Sequence, residues 1–337
     1  MSFKRFDQED VVVSAESVTA PLWSNNSIAL TAFYTSSTQI SSTSGDYYYN
    51  VYQTASNTTG ASIQFSVAYA DKDGGGSLLY NSGIAGKSPS STIYGQYRNL
   101  VLGDEESEFT FGGKTADHFY VIAVDRSRYR EKLLPGTLTL HISSSVGIQT
   151  ITDNSKVVVT TTFTDSGRVF ELVNGSAGTV NTTYGADGYT VSGSYGKFLP
   201  DVGILILNGK VLDLPYSVGG IALGTTRTAN TVGNNINKFV DALNKGKYFR
   251  LNSEETISSN LIFVRARNSE FNYSTNPSLL SGSGEIRHNV MINTPQSYIT
   301  AVGLYNDNND LLAVAKLSRP LLKDFTKEAL VRIKLDY

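Results

Sequence analysis

Alternation of apolar and polar residues dominates this chain. In Ser62-Ile63-Gln64-Phe65-Ser66-Val67-Ala68-Tyr69 every second residue is large and apolar, which places Ile63, Phe65, Val67 and Tyr69 on one face of a pleated strand. Asp71-Lys72-Asp73-Gly74-Gly75-Gly76-Ser77 then breaks the pattern as a loop. His118–Val124 is a continuous β-prone run, and residues 137–142 alternate again after the turn at Pro135-Gly136. Residues 157–163, the turn Thr164-Asp165-Ser166-Gly167 and residues 168–173 are spaced as a hairpin. The apolar run 202–207 closes on Asn208-Gly209, a strong turn dipeptide.

Strands return in the last third. Residues 261–266 are β-prone, and residues 298–304 run into the polar loop Asn306-Asp307-Asn308-Asn309-Asp310, from which residues 311–317 come back as a second hairpin. Residues 320–329 fit a short helix or a loop equally. Val331-Arg332-Ile333-Lys334-Leu335-Asp336-Tyr337 is apolar on one face and charged on the other, so the carboxyl terminus is expected to be tied down in a strand.

One segment has the helical period. Ile236, Phe239, Val240 and Leu243 recur on one face, Asn234 or Asn235 can cap the start, and Gly246 can end it. The expected fold is therefore mainly β: two or three antiparallel, sandwich-like domains with one clear amphipathic helix near 234–246. The boundaries drawn from the pattern are an amino-terminal arm over 1–30, a β domain over 31–145, a β-rich middle region with the helix over 146–250, and a carboxyl-terminal β domain over 251–337. No fixed-period repeat, heptad or collagen-like triplet is present, which argues against a fibrous shaft.

Composition narrows the function classes. Of 337 residues, 40% are hydrophobic and 17% charged, enough apolar material for real cores. A net charge of −2 gives no global attraction to nucleic acid or anionic lipid. The absence of cysteine removes disulfides, thiolate catalysis and cysteine-based zinc sites. The first residues are charged and lack the apolar core of a secretory signal, and the run 202–207 is far too short to span a bilayer. The expectation is a protein made and folded in a cytoplasm, without membrane insertion. Twenty tyrosines beside 15 phenylalanines and one tryptophan suit sheet packing, with use at interfaces as the sharper alternative.

The search for chemistry is uniformly negative. Gly83-Ile84-Ala85-Gly86-Lys87-Ser88 has the outline of a phosphate-binding loop, yet Asn81 stands where a glycine is needed and Pro89 follows where a helix should start. Asp71-Lys72-Asp73-Gly74 has the outline of a calcium loop, but Gly75 offers no ligand at the fifth position. His118, His141 and His288 lie far apart, and no Gly-x-Ser-x-Gly elbow announces a nucleophile. Asp104-Glu105-Glu106 and Glu254-Glu255 sit among polar residues, as solvated loops do. No catalytic, cofactor-binding or metal-binding residue is assigned, no small-molecule substrate is implied, and the chain is expected not to be an enzyme.

The stretch Glu270-Phe271-Asn272-Tyr273-Ser274-Thr275-Asn276-Pro277, followed by Tyr298-Ile299-Thr300-Ala301-Val302-Gly303-Leu304-Tyr305 and the return over 311–320, resembles virion structural proteins of contractile-tailed phages, especially the T4-like phages of cyanobacteria. Residues 302–315 are similar to a hairpin of phage tail-fibre attachment domains, and Gly193-Ser194-Tyr195-Gly196-Lys197-Phe198-Leu199-Pro200-Asp201 adds to the likeness. These motifs are structural and carry no catalytic residues across.

The resemblance implies a virion tail component of the baseplate-wedge type, built into a six-fold assembly after synthesis in the host cytoplasm. Its partners would be other tail and baseplate proteins or copies of itself. Trp23, in the amino-terminal arm, and Phe271, Tyr273, Tyr305 and Tyr337 are the candidate interface residues. Trp23 has two readings, an anchor against a neighbour or packing on its own domain. The alternative function is a receptor- or glycan-binding β module displayed on the virion, which would show an exposed aromatic cleft or a calcium-dependent sugar site.

Overall fold

A computed structural model describes residues 4–41, 47–84, 86–187, 189–274 and 276–336. The chain is mainly β, with 39% strand and 16% helix. It forms two compact units, Val18–Glu255 and a smaller one made of Met1–Ser17 with Thr256–Tyr337. Among the described residues no helix is long and apolar enough to cross a membrane.

The larger unit is built on a 13-stranded sheet. Its main path runs Ala29–Leu30, Phe249–Arg250, Thr139–Ser143, Ile148–Asp153, Gly167–Ser176, Gly196–Leu199, Ile204–Asn208, His118–Val124, Ile63–Asp71, Tyr48–Tyr52 and Tyr34–Thr35. Every pairing along that path is antiparallel. The accumulated twist of so many strands curls the sheet into a half-barrel. Its two end strands are consequently joined by residues 31–33 alone. Asn244 fastens that junction, accepting from the Phe33 N–H at 3.2 Å and donating to the Phe33 carbonyl at 2.9 Å.

Both faces of the central strands are covered, which explains why His118–Val124 reads as a continuous run rather than an alternation. Tyr120, Ile122 and Val124 join Phe65, Val67, Tyr69, Leu205 and Leu207 in the inner core. Phe119 and Val121 join Ala68, Ala70 and Ile206 in an outer core beneath Ile93, Tyr94, Tyr97 and Val101 of the helix Pro89–Leu102. The helix Asn234–Gly246 lies on the inner side, with Ile236, Phe239, Val240 and Leu243 buried and the Phe239 ring stacked 4.8 Å from that of Tyr120.

Several local expectations are corrected. Pro89 does not prevent a helix after Ser88; it occupies the first turn of one, where a missing N–H is harmless. The helix at Asn234 is entered from Gly233 in the left-handed conformation, because the Asn235 side chain is used instead on both backbone groups of Thr226. Gly246 lies inside that helix, where a Cβ would sit 2.1 Å from the His141 carbonyl, and Lys247 ends it.

The hairpin at 157–173 forms only around its turn, with Thr162–Thr164 paired to Gly167–Ser176. Residues 157–161 leave the ladder because the Asn154 carbonyl takes the N–H groups of both Val157 and Val158. Residues 320–323 are neither helix nor loop but the end of the strand Leu311–Lys323. Pro320 is accommodated in the bulge between the Ile299 and Ala301 pairings.

In the smaller unit, residues 259–266 pair with Ala329–Asp336 in an unbroken antiparallel register. The expected alternation of the last strand is observed, with Val331 and Ile333 buried and Leu330, Arg332 and Lys334 exposed. The hairpin Ser297–Tyr305 and Leu311–Lys323 also forms as the spacing predicts. Its inward residues Val302, Leu304, Ala313, Ala315 and Leu317 lie against Ile262, Val264, Val331 and Ile333. Ile262, Leu304, Val331 and Ile333 of this cluster are buried and its other members half-buried.

Candidate functional site

The densest chemistry lies at one end of the central strands. Asp71 closes the strand Ile63–Asp71 and is completely buried. Its Oδ1 accepts the N–H groups of Asp73 at 2.9 Å and Gly75 at 3.1 Å. Its Oδ2 accepts the Tyr69 hydroxyl at 3.1 Å and Arg227 Nε at 2.6 Å. The carboxylate is therefore saturated by protein donors, and Arg227 supplies the positive charge that a calcium loop would take from a cation. Gly75 and Gly76 are the signal that this contact was coming. A Cβ on Gly75 would lie 1.7 Å from the Arg227 carbonyl, and one on Gly76 2.0 Å from that of Thr226, so only glycine lets the two backbones meet.

A second chain of contacts runs beside the first. His118 Nε2 lies 3.0 Å from Asp213 Oδ2, while Asp213 Oδ1 accepts the Thr225 N–H at 2.8 Å and its hydroxyl at 2.7 Å. The Thr225 hydroxyl is also 2.9 Å from that of Tyr120. Burial would raise the Asp213 pKa, but the His118 and Thr225 hydrogen bonds outweigh it and hold the carboxyl below its usual range. Burial pushes the hydroxyls of Tyr69 and Tyr120 upward, the Asp71 charge adding to the effect at Tyr69.

The His118–Asp213 pair has the outline of a base and its orienting carboxylate. The hydroxyl nearest to it, that of Thr225, is bonded to Asp213 and Tyr120 rather than to the imidazole. The cavity beside Tyr69, lined by Gly76, Asn235 and Ile236 among others, measures about 30 Å³, the room of a single water. The network ties the irregular segment 214–233 to the sheet through Thr225 and Arg227.

The other candidates are dispersed. Ser88 caps the helix Pro89–Leu102 and donates its hydroxyl to the Gly74 carbonyl. His141 packs its ring on Tyr248 at 4.8 Å, and burial lowers its pKa. Among the described residues no cluster of three or more His, Asp or Glu could hold a metal ion.

The candidate interface residues separate sharply. Trp23 is 1% exposed, with its ring 4.9 Å from Phe249 and 6.3 Å from Phe65, so its surface is used within the inner core of its own unit. Phe271 and Tyr273 are exposed, and Tyr305 is half-buried at the tip of the carboxyl-terminal hairpin. Tyr337 lies outside the described residues.

The structure adds a surface that the sequence reading left unremarked. Leu311-Leu312-Ala313-Val314-Ala315 is apolar without alternation, the pattern of a strand buried on both faces. Ala313 and Ala315 do face the small core, but Leu312 and Val314 on the opposite face are 67% and 60% exposed. Tyr298, Leu311, Phe325 and Leu330 are also more than half exposed in this unit. The signal was the missing alternation.

No protein-family model, curated protein or solved structure matches this chain.

Proposed function

We propose that this chain is a structural subunit of a contractile phage tail, of the baseplate-wedge type, acting through protein–protein contacts rather than chemistry. The observation that carries the assembly reading is the stretch Leu311–Ala315 at the start of the Leu311–Lys323 strand, where Ala313 and Ala315 face the small core while Leu312 and Val314 on the other face are exposed. A unit whose cluster contains four buried residues buries little of its own apolar surface, and covering Leu312 and Val314 with a neighbour would supply what the chain lacks. The resemblance of residues 270–277 and 298–320 to phage virion proteins supplies the tail context, and with it the virion as location and tail or baseplate proteins as partners.

The test is light scattering on the purified chain, alone and mixed with the other tail proteins of the same genome. A species of low mass that grows only in the presence of wedge components supports the reading. A stable trimer that ignores those components and binds host cells overturns it in favour of receptor or glycan recognition.

A further inference from the structure

Lys323 is the one lysine or arginine that is buried among the described residues, at 0% exposed. It ends the strand Leu311–Lys323 and lies, with all of its partners, in the smaller unit. Its Nζ donates to Asn272 Oδ1 at 2.7 Å, to the Asp324 carbonyl at 2.9 Å and to the Asn268 carbonyl at 3.1 Å. All three acceptors are neutral. Asp71, a charge buried as deeply, is answered by Arg227, whereas Lys323 has no carboxylate among its partners. Holding an ammonium out of water without a counter-charge is costly.

The amide that faces the amine is fixed from both ends. Asn272 Nδ2 donates at 2.7 Å to the Asn268 carbonyl, the same oxygen that takes Lys323 Nζ. These two contacts set the amide with Oδ1, not Nδ2, toward the amine. The Asn272 Cγ lies one C=O bond, about 1.23 Å, behind that oxygen. Hydrogen-bond contact with Oδ1 therefore brings Nζ close to the separation of about 3–3.5 Å from which addition to a carbonyl proceeds.

The loop that carries Asn272 is held firmly around it. Phe271 has a φ of 56°, a left-handed conformation that a bulky residue rarely adopts and that persists only where the surroundings enforce it. Ser297 Oγ donates to the Phe271 carbonyl, and Lys4 Nζ meets Glu270 Oε2 at 3.2 Å.

We propose that Lys323 and Asn272 join covalently through an isopeptide bond between Nζ and Cγ. Nζ adds to Cγ, the Cγ–Nδ2 bond breaks, and Nδ2 departs with the two protons that the ammonium sheds. An ammonium and a carboxamide thus become a substituted amide and a free ammonium ion, with no oxidant, cofactor or second chain required. The chain modifies itself once and turns over no substrate. The bond exchanges an unpaired buried charge for a neutral amide. It also closes a loop between residues 51 apart, in a unit with a small core and a chain without cysteine. Like a disulfide, such a closure restricts the unfolded chain. The inference stands independently of the tail reading.

The test is the intact mass of the purified full-length chain, followed by a tryptic map. The expected result is a mass lower than that of the sequence by one ammonia. The map should contain peptide 268–287 joined to peptide 317–327, the latter uncut after Lys323 because its amine is acylated. Lys323→Arg keeps the positive charge and its donors but removes the nucleophilic amine, and should restore the full mass. A folded unmodified sequence that keeps its full mass after prolonged incubation at mildly alkaline pH overturns the proposal. So does an ammonia deficit that persists in Lys323→Arg, because it then comes from an asparagine closing on its own backbone. If Lys323→Arg does not fold, the joined peptide in the map of the unchanged chain decides: its presence sustains the bond and its absence overturns it.

Discussion

Arg227 Nε donates to Asp71 Oδ2 at 2.6 Å across 156 residues of sequence, joining the end of a central strand to the irregular segment that crosses it. Asp71 is fully buried and its partner about one-third exposed. The pair anchors that crossing together with Asn235 and Thr226.

Removing Arg227 should therefore be costly. Arg227→Ala leaves a buried carboxylate with the Tyr69 hydroxyl and two amides as its donors, and such broken pairs typically destabilise by about 3–5 kcal/mol. Allowing for the solvent that reaches Arg227, we expect about 2–4 kcal/mol, read as a lower urea midpoint with an unchanged slope. A double-mutant cycle with Asp71→Asn should return most of that loss as coupling. Additive effects would show that the segment is held by other contacts.

Asn244 gives a sharper local prediction. Its amide both donates to and accepts from the Phe33 backbone at the junction of the two end strands. Asn244→Leu removes both bonds, at about 1 kcal/mol each. Amide exchange should accelerate over residues 29–35 before it does in the central strands. Uniform acceleration throughout the sheet would mean that the junction is not a separate weak point.

Acid sensitivity follows from two carboxyls. Burial would raise both carboxyls, but His118 and Thr225 hold Asp213 low and Arg168 holds Asp201 low. A folded pKa below the unfolded value of about 3.9 contributes stability that is complete above that value and lost as pH falls through the folded one. As far as these groups go, urea midpoints should stay flat from neutrality to about pH 5 and fall below about pH 4. Asp213→Asn and Asp201→Asn should each flatten the acid limb. An unchanged limb in both variants would assign the acid loss to other groups.

How much of this was legible beforehand depended on whether a signal was local. Strand faces and the Asn234–Gly246 helix were, because Phe65, Val67 and Tyr69, or Ile236, Phe239 and Leu243, repeat with the period of their own element. The helix Pro89–Leu102 was not, since Ser, Thr and Gly weaken its propensity and its buried Ile93, Tyr94 and Tyr97 face the outer core through tertiary contact. The polar network was invisible for the same reason: Asp71 and Arg227, or His118 and Asp213, are far apart in sequence and meet only through the tertiary fold, the latter pair because His118–Val124 and Ile204–Asn208 are neighbouring strands. Trp23 showed that residue type alone cannot separate an interface anchor from a core ring. The exposed hairpin face was written in the lost alternation at 311–315, but what covers a second face is never in the pattern itself.

That hairpin supplies the prediction closest to function. Leu304 and Leu312 lie in paired strands of one hairpin, the first buried in the small core and the second two-thirds exposed. Leu304→Ala should destabilise the smaller unit by about 2–5 kcal/mol, as truncations of buried leucine do. Leu312→Lys, with or without Val314→Lys, should change the stability of the isolated chain by no more than about 0.5 kcal/mol, as surface substitutions do. The two lysine variants should nevertheless fail to join tail proteins in light scattering, because a charge would have to be buried at the contact. If instead they assemble normally, the outward face of the hairpin is not a docking surface, and the partners must be held elsewhere on the chain. If Leu312→Lys unfolds the chain, that face is already covered from within, and the argument from an uncovered strand is lost.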